Sequence, residues 1–421
     1  MTALKTDREI SPAGEPRSQI DERGLVWFYV GAFLGPFGTT IASVLLTTLG
    51  ETYQVDLNVA TLSITAYMIP FALSLLISGA ISDAIGARQA VVGGCVVFGV
   101  ASLVCAAAPT MEVFLVGRAF QGVGNAFTTS LLMASLGDLL PSHRLVRALG
   151  FFAAFQMAGG LFGPLISGFL ALASWRLSFL LVVAVSAALA VYYWPYYTRL
   201  GVGVTGRGRT NPLRVIAGLW NTRMGLLCLS SFLGYIGAPS IGFLVAIDLE
   251  NRWGVTPAVS GLVLAGFGVV NVLAAPKSGS WVVAIGRSRM IVWASVATAA
   301  IMIALALLPP LLGFVDLSIA GLTLPPSLLL FAALFALLGL PTVVTWTSIG
   351  TLAIEAFPRQ RGAATSIFNA TKFAGFAASP AVFTPLYFGV GPEAAYIIAG
   401  LVTAALAIPI FVYLGALGAR T

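Results

Sequence analysis

Residues 113–136 read VFLVGRAFQGVGNAFTTSLLMASL. The run is long enough to cross about 30 Å of hydrocarbon as a helix, yet it holds an arginine, a glutamine and an asparagine. Arg118, Gln121, Asn125 and Thr129 recur every three or four residues, so a helix turns all four to one face. A charge inside a membrane is costly unless it faces protein or water. The stripe therefore predicts a helix of a polytopic bundle whose polar side borders a cavity. Snorkelling of Arg118 to the nearer surface, about 8 Å away at 1.5 Å per residue, is the alternative.

Working outward, comparable apolar runs recur along nearly the whole chain, twelve in all, from Leu25–Leu49 to Ala394–Leu414. Hydrophobic residues make up 58% of the 421 positions and charged ones 9%, against about 25% charged in soluble domains, which excludes a water-soluble fold. Lipid cannot satisfy backbone polar groups, and runs of this length are twice too long for barrel strands, so they predict helices. Arg88, Arg144, Arg147, Arg287 and Arg289, with most other basic residues, fall on one side of the bundle, and Arg176 and Arg252 on the other. By the positive-inside rule both termini are cytoplasmic, and a bacterial inner membrane is the expected location. A basic face that meets anionic lipid headgroups accounts for the net charge of +7 without nucleic acid.

The expected organisation is a polar tail over 1–23, a six-helix bundle over 24–197, a cytoplasmic linker over 198–223 and a second six-helix bundle over 224–417. The tail contains Pro12 and Pro16 and reads as solvated chain kept in the mature protein. Gly79-Ala-Ile-Ser-Asp83-Ala-Ile-Gly86 has a counterpart in Gly279-Ser-Trp-Val-Val283-Ala-Ile-Gly286, and Gly159, Gly163 and Pro164 match Gly375, Ser379 and Pro380. Such repeats place a solute site at the midplane between halves. Cys95, Cys105 and Cys228 sit in apolar runs, and with a single histidine, His143, they suggest no disulfide, metal site or other cofactor. Gly201-Val-Gly203-Val-Thr-Gly206 follows no strand and reads as linker, and no Walker-type loop is present.

Three motifs occur in order: Gly79, Asp83, Gly86 and Arg88; then Arg118 to Ala126; then Gly150, Gly159, Gly163, Pro164 and Gly168. Together they resemble the major facilitator superfamily, and Tyr53-Gln-Val55 and Thr65-Ala-Tyr67 are similar to its twelve-helix drug:proton antiporters. The resemblance implies an all-α membrane protein of two pseudo-symmetric six-helix bundles. It also implies that Gly79, Asp83, Gly86 and Arg88 form a cytoplasmic latch, with Asp83 at the positive N-terminal end of helix eleven near Gly362. Ala84 departs from the pattern, where a basic residue is usual, and Ser167 stands where glycine is usual. The glycine-proline motif of helix five, typical of the exporting branch, is expected to seal that helix against helix eight.

All carboxylates fall in the tail, loops or helix ends, including Asp248 and Glu250, so no acid is expected near mid-membrane. Lys372 is the charge expected there, about 14 Å into helix eleven, on one face with Thr365, Asn369, Phe376 and Ser379. A lysine held by carbonyls between helices is the structural alternative to a substrate or coupling role. The chain reads as a secondary transporter of small organic molecules working by alternating access, as proton-linked efflux of amphiphilic compounds, with uptake or exchange of an organic anion or anionic chelate as the second reading. Arg118, Gln121, Asn125, Asn369 and Lys372 form the expected polar wall, and Tyr67, Tyr235, Trp346 and Phe376 the aromatic contacts. A proton or counter-solute is the expected coupling partner and a monomer the expected state. No nucleophile, base and acid constellation supports an enzyme.

Overall fold

A computed structural model describes residues 22–199, 218–312, 317–319, 322–357 and 361–418; most of the expected tail and of the expected linker lie outside them. In the first half α1 (Glu22–Thr40), a short 3-10 turn (Ile41–Val44) and α2 (Leu46–Tyr53) make one traverse. It is followed by α3 (Leu57–Ile85), α4 (Ala87–Ala107), α5 (Met111–Leu139), α6 (Ser142–Ala171) and α7 (Arg176–Arg199). The second half begins with a broken traverse, α8 (Thr222–Ile236) and α9 (Gly242–Trp253), and continues with α10 (Pro257–Ile285) and α11 (Arg287–Leu311). Then come α12 (Pro326–Leu337) and α13 (Gly339–Ala356) as one traverse, α14 (Arg361–Gly389), and α15 (Pro392–Ala404) with α16 (Ala407–Gly418) as the last. Twelve traverses bring α1 and α16 to one end of the bundle, the terminal face; the opposite end is the far face.

The helical expectation is modified at one place. Between α11 and α12 a hairpin of β1 (Leu317–Ile319) and β2 (Leu322–Leu324) pairs Leu317 with Leu324 in antiparallel register. Pro325 and Pro326 end it and open α12, where a missing N–H is tolerated.

Side chains set the helix ends. Asp56 caps α3 by accepting from the Asn58 N–H, and Asn221 caps α8 by accepting from the Met224 N–H. Gly86 closes α3 and opens α4 at φ 94°, and Gly286 does the same between α10 and α11 at φ 90°. Both lie in the region glycine favours, so the repeat seen in the sequence is also a repeat of backbone geometry. Ser78 Oγ meets Ser130 Oγ at 3.0 Å between α3 and α5, and Ser278 Oγ meets Thr347 Oγ1 at 2.9 Å between α10 and α13. A Cβ on Gly159 would stand 2.1 Å from the Phe33 carbonyl, and one on Gly375 2.6 Å from that of Phe232. The two halves thus repeat the same helix contacts.

Among the described residues nine stretches are long and apolar enough to cross a membrane. The traverses α5, α8–α9 and α14 fall outside that set, and these three carry Arg118, Asp248 and Lys372. Large apolar side chains such as Leu273, Val191 and Trp293 are exposed around the outside, as a surface facing lipid requires.

The halves meet along two antiparallel pairs. Between α3 and α14, Thr65 Oγ1 donates to the Ala377 carbonyl at 2.7 Å, and Phe71 and Phe373 make an edge contact at 4.7 Å. Between α6 and α10, Gly168 lies against Pro257 and Gly261 against Pro164, close enough that a Cβ would come within 2.3 and 2.5 Å of a carbonyl.

Candidate functional site

The second glycine motif divides its work between two helix faces. Gly159 and Gly163 press α6 against Phe33, Phe37 and Thr40 of α1, within one half. Pro164 and Gly168, one step of about 100° further round, press it against α10 of the other half. The seal expected between helices five and eight is therefore made by the latter pair.

Toward the terminal face from that seal, the halves enclose a cavity of about 1010 Å³, its open mouth included. Ile64, Leu161, Leu264, Phe267, Phe335 and Phe376 give it apolar walls. Thr39, Thr40, Ser43, Ser240 and Asn271 supply hydroxyls and one amide, and no charged side chain lines it among the described residues. A smaller cavity of about 350 Å³ lies in the second half, lined by Tyr235 and Trp346 and by the hydroxyls of Ser230, Ser231, Thr342 and Thr345.

Of the expected polar wall, the helix-four part is enclosed in protein. Arg118 and Gln121 are fully buried and Asn125 is 1% exposed. The guanidinium donates to the carbonyls of Ser63 at 3.2 Å, Gly38 at 3.0 Å and Thr39 at 3.4 Å, and to Gln121 Oε1 at 2.8 Å. Gln121 in turn donates to Ser102 Oγ at 2.7 Å, and Asn125 Oδ1 accepts from Thr129 Oγ1 at 2.7 Å. Glycines permit this closeness: a Cβ on Gly122 would stand 2.1 Å from the Tyr67 carbonyl. Tyr67 is buried beneath Arg118, its ring centroid 4.4 Å from Cζ, and its hydroxyl accepts from Thr39 at 3.0 Å. The stripe thus joins α1, α3, α4 and α5 and reaches the cavity through Thr39.

On the other side, Phe376 lines the central cavity, and Lys372 stands one helical turn away. Its ammonium lies 4.0 Å from the centroid of Trp346, 4.4 Å from that of Phe373 and 5.0 Å from that of Tyr235. These rings, not carboxylates, are the partners of Lys372 among the described residues. Asn369 is half-buried on the same helix. Lys372 therefore stands between residues of the two cavities.

At the terminal face Asp83 and Gly79 are exposed, and Arg88 stacks on Trp194 at 4.7 Å. Residues 358–360, just before α14, lie outside the described residues, as do the side chains at 361–363. Arg287 holds Glu355 in a two-point pair at 2.7 and 3.0 Å that keeps this carboxyl below its ordinary value.

Sequence reasoning missed two kinds of residue. Thr39, Thr40 and Ser43, the cavity hydroxyls of the first traverse, were not part of the expected polar wall. Asp248, read as a helix-end residue, is fully buried in α9, where it accepts from Tyr387 at 2.7 Å and Tyr396 at 3.0 Å and pairs with Arg252 at 2.7 Å. The break at Gly237–Ile241 lengthens this traverse to Trp253 and carries Asp248 inside.

The sequence profile of the Major Facilitator Superfamily matches residues 28–225 and 227–419. The chain belongs to that superfamily. Among similar major facilitator proteins, the methylenomycin A resistance protein of Bacillus subtilis is 29% identical over 223 residues, 52% of this chain and 46% of the relative. A probable multidrug-efflux transporter of Mycobacterium tuberculosis is 34% identical over 130 residues, 31% of this chain and 27% of the relative. The match thus spans less than half the length of each. The crystal structure of a D-xylose-proton symporter superposes with a TM-score of 0.71 at 16% identity, covering 91% of this chain and 96% of that one, which establishes the major facilitator fold. The family is one of transporters, so an enzymatic reading falls away.

Proposed function

We propose that this chain is a secondary transporter that expels small amphiphilic organic molecules by alternating access, coupled to protons. The observation that carries the reading is the central cavity, about 1010 Å³ with its open mouth included, with apolar and aromatic walls and a few hydroxyl and amide groups. Pockets of this kind bury the body of a drug-sized molecule and orient it through a small number of polar contacts. The relatives, a resistance protein and a probable multidrug-efflux transporter, support export. Arg118, Gln121, Asn125 and Tyr67 hold the wall of the first half behind Thr39. Lys372, Asn369, Tyr235, Trp346 and Phe376 form the side that meets solute or proton. Gly79, Asp83, Gly86 and Arg88 act as the latch at the terminal face, which is cytoplasmic in an inner-membrane orientation. One chain is the working unit.

A second reading, transport of an organic anion, is favoured by Lys372 alone, whose cation has aromatic rings but, among the described residues, no carboxylate beside it. Flux of cationic dyes and of organic anions in proteoliposomes, with and without an imposed pH gradient, separates the two. Gradient-driven dye movement supports the first reading, anion movement the second, and movement of neither overturns both.

A further inference from the structure

On the far-face side of the cavity one carboxylate reaches between the two halves. Glu250 of α9 reaches across to α2 of the other half, where its Oε2 accepts from the Thr47 hydroxyl. Phe243, which lines the cavity, lies about two turns earlier on α9, and Ser43, which also lines it, lies one turn before Thr47. The contact therefore closes the end of the cavity. The other oxygen, Oε1, is buried and faces the equally buried hydroxyl of Ser260 on α10, a neutral group with no other partner.

A buried carboxylate with only neutral hydroxyls beside it is a costly arrangement for an anion and an inexpensive one for a protonated acid, which can donate its own hydrogen to Ser260. The groups around it sharpen the contrast. From α2 the nearest charge is Glu51, of the same sign; α10 offers only Ser260; Tyr387 of α14 is engaged with Asp248. On α9 itself Arg252 is bound to Asp248 and to Glu393 of α15, so the adjacent cation is already committed. Nothing within this set neutralises Glu250 except a proton.

We infer that Glu250 is a protonation-controlled latch between the halves: protonated, it holds the far face shut against Thr47, and ionised, it releases that contact. This rests on the transport reading above and specifies how a proton enters it. A proton taken up while the far face is open favours its closing, which is the order an exporter exchanging solute for protons requires. The acid sits where the two halves separate, so protonation and closure share one contact.

The test reads conformation, so it stands apart from whether any solute is found. Spin labels at Thr52→Cys on α2 and Thr256→Cys before α10, both exposed at the far face, report the separation of the halves in the purified full chain in nanodiscs by double electron–electron resonance. The native cysteines Cys95, Cys105 and Cys228 are buried. The expected result is a short distance at acid pH and a growing long-distance population as pH rises. Glu250→Gln, which keeps the shape of the protonated acid, should stay short at every pH. Thr47→Val, which leaves the acid in place but removes its partner, should enlarge the long population at neutral pH. A pH-dependent separation that persists unchanged in Glu250→Gln, or no pH dependence in the parent, overturns the inference. Loss of proton-driven flux with the distance change intact would overturn the transport reading and leave the latch standing.

Discussion

Replacing Lys372 by Met separates a structural lysine from a working one, because the two roles differ in magnitude. A lysine near the centre of a membrane helix costs about 2.5 to 3.5 kcal/mol on insertion scales. Against this stand three rings, with Trp346 the nearest at 4.0 Å. Each is worth about 0.5 to 2 kcal/mol, depending on how far water is excluded. Phe373 is the next residue on the same helix and adds little. The terms nearly cancel, so Lys372→Met, which keeps the length of the side chain and removes both, should change stability by less than about 2 kcal/mol. A lysine anchored by a buried carboxylate would lose about 3 to 5 kcal/mol when cut. The assays are thermal unfolding of the detergent-purified protein and efflux from proteoliposomes across an imposed pH gradient. A near-wild-type melting temperature with uncoupled or anion-blind transport is expected. A stability loss above about 3 kcal/mol, or wild-type rate and pH dependence, refutes the reasoning. Lys372→Arg, which keeps its charge at every working pH, should bind solute yet cycle slowly.

Three further perturbations address other parts of the molecule. Arg118→Lys should destabilise the first half by about 1.5 to 3 kcal/mol or more and slow transport, since a lysine point charge cannot bridge the carbonyls of Gly38, Thr39 and Ser63 together; an unchanged melting temperature counts against it. Gly168→Val should impair closure of the far face while sparing expression, because its side chain would enter the Pro257 backbone, where a Cβ alone stands 2.3 Å away; unaltered cysteine accessibility at Ser43→Cys would contradict this. The Arg287–Glu355 pair lowers the carboxyl, so its contribution is present above the ordinary carboxylate range and is lost as pH falls through the lowered value; Glu355→Gln should lower the melting temperature slightly at neutral pH and not near pH 3, by under about 1 kcal/mol for so exposed a pair.

The helices and their pairing into halves were legible because length and apolarity are local properties, and because Gly86 and Gly286 mark one turn twice. The face shared by Arg118, Gln121 and Asn125 was legible too, but what it faces was not. Its partners are mainly backbone carbonyls of α1 and α3, and any residue at 38, 39 or 63 offers a carbonyl, so the sequence carries no mark of the acceptors. Asp248 was hidden for another reason: Gly237 and Pro239 interrupt α8–α9, and a count of apolar residues from Met224 ends the traverse too early. The cavity hydroxyls at Thr39, Thr40 and Ser43 look like ordinary small residues until α6 and α10 part beside them.

The repeat makes the remaining asymmetry informative. Tyr67 precedes Ser78 by the same interval as Phe267 precedes Ser278, and Arg118 stands to Ser130 as Phe335 stands to Thr347. The cation over a ring in the first half is thus replaced in the second by two phenylalanines, 5.5 Å apart, that line the cavity. A charge sealed by carbonyls fixes α1, α3 and α5 together, whereas two rings facing open space leave their helices free to slide. The second half instead carries its ionisable groups elsewhere: Lys372 among rings on α14, and Asp248 and Glu250 on α9. Of these, Lys372 and Glu250 have no countercharge paired with them among the described residues, and each adjoins a contact between the halves that the proposed cycle would change. In the proposed transport cycle, a rigid first half and a titratable second half divide the work: one supplies a fixed wall, and the other supplies the groups through which a proton would bias the movement.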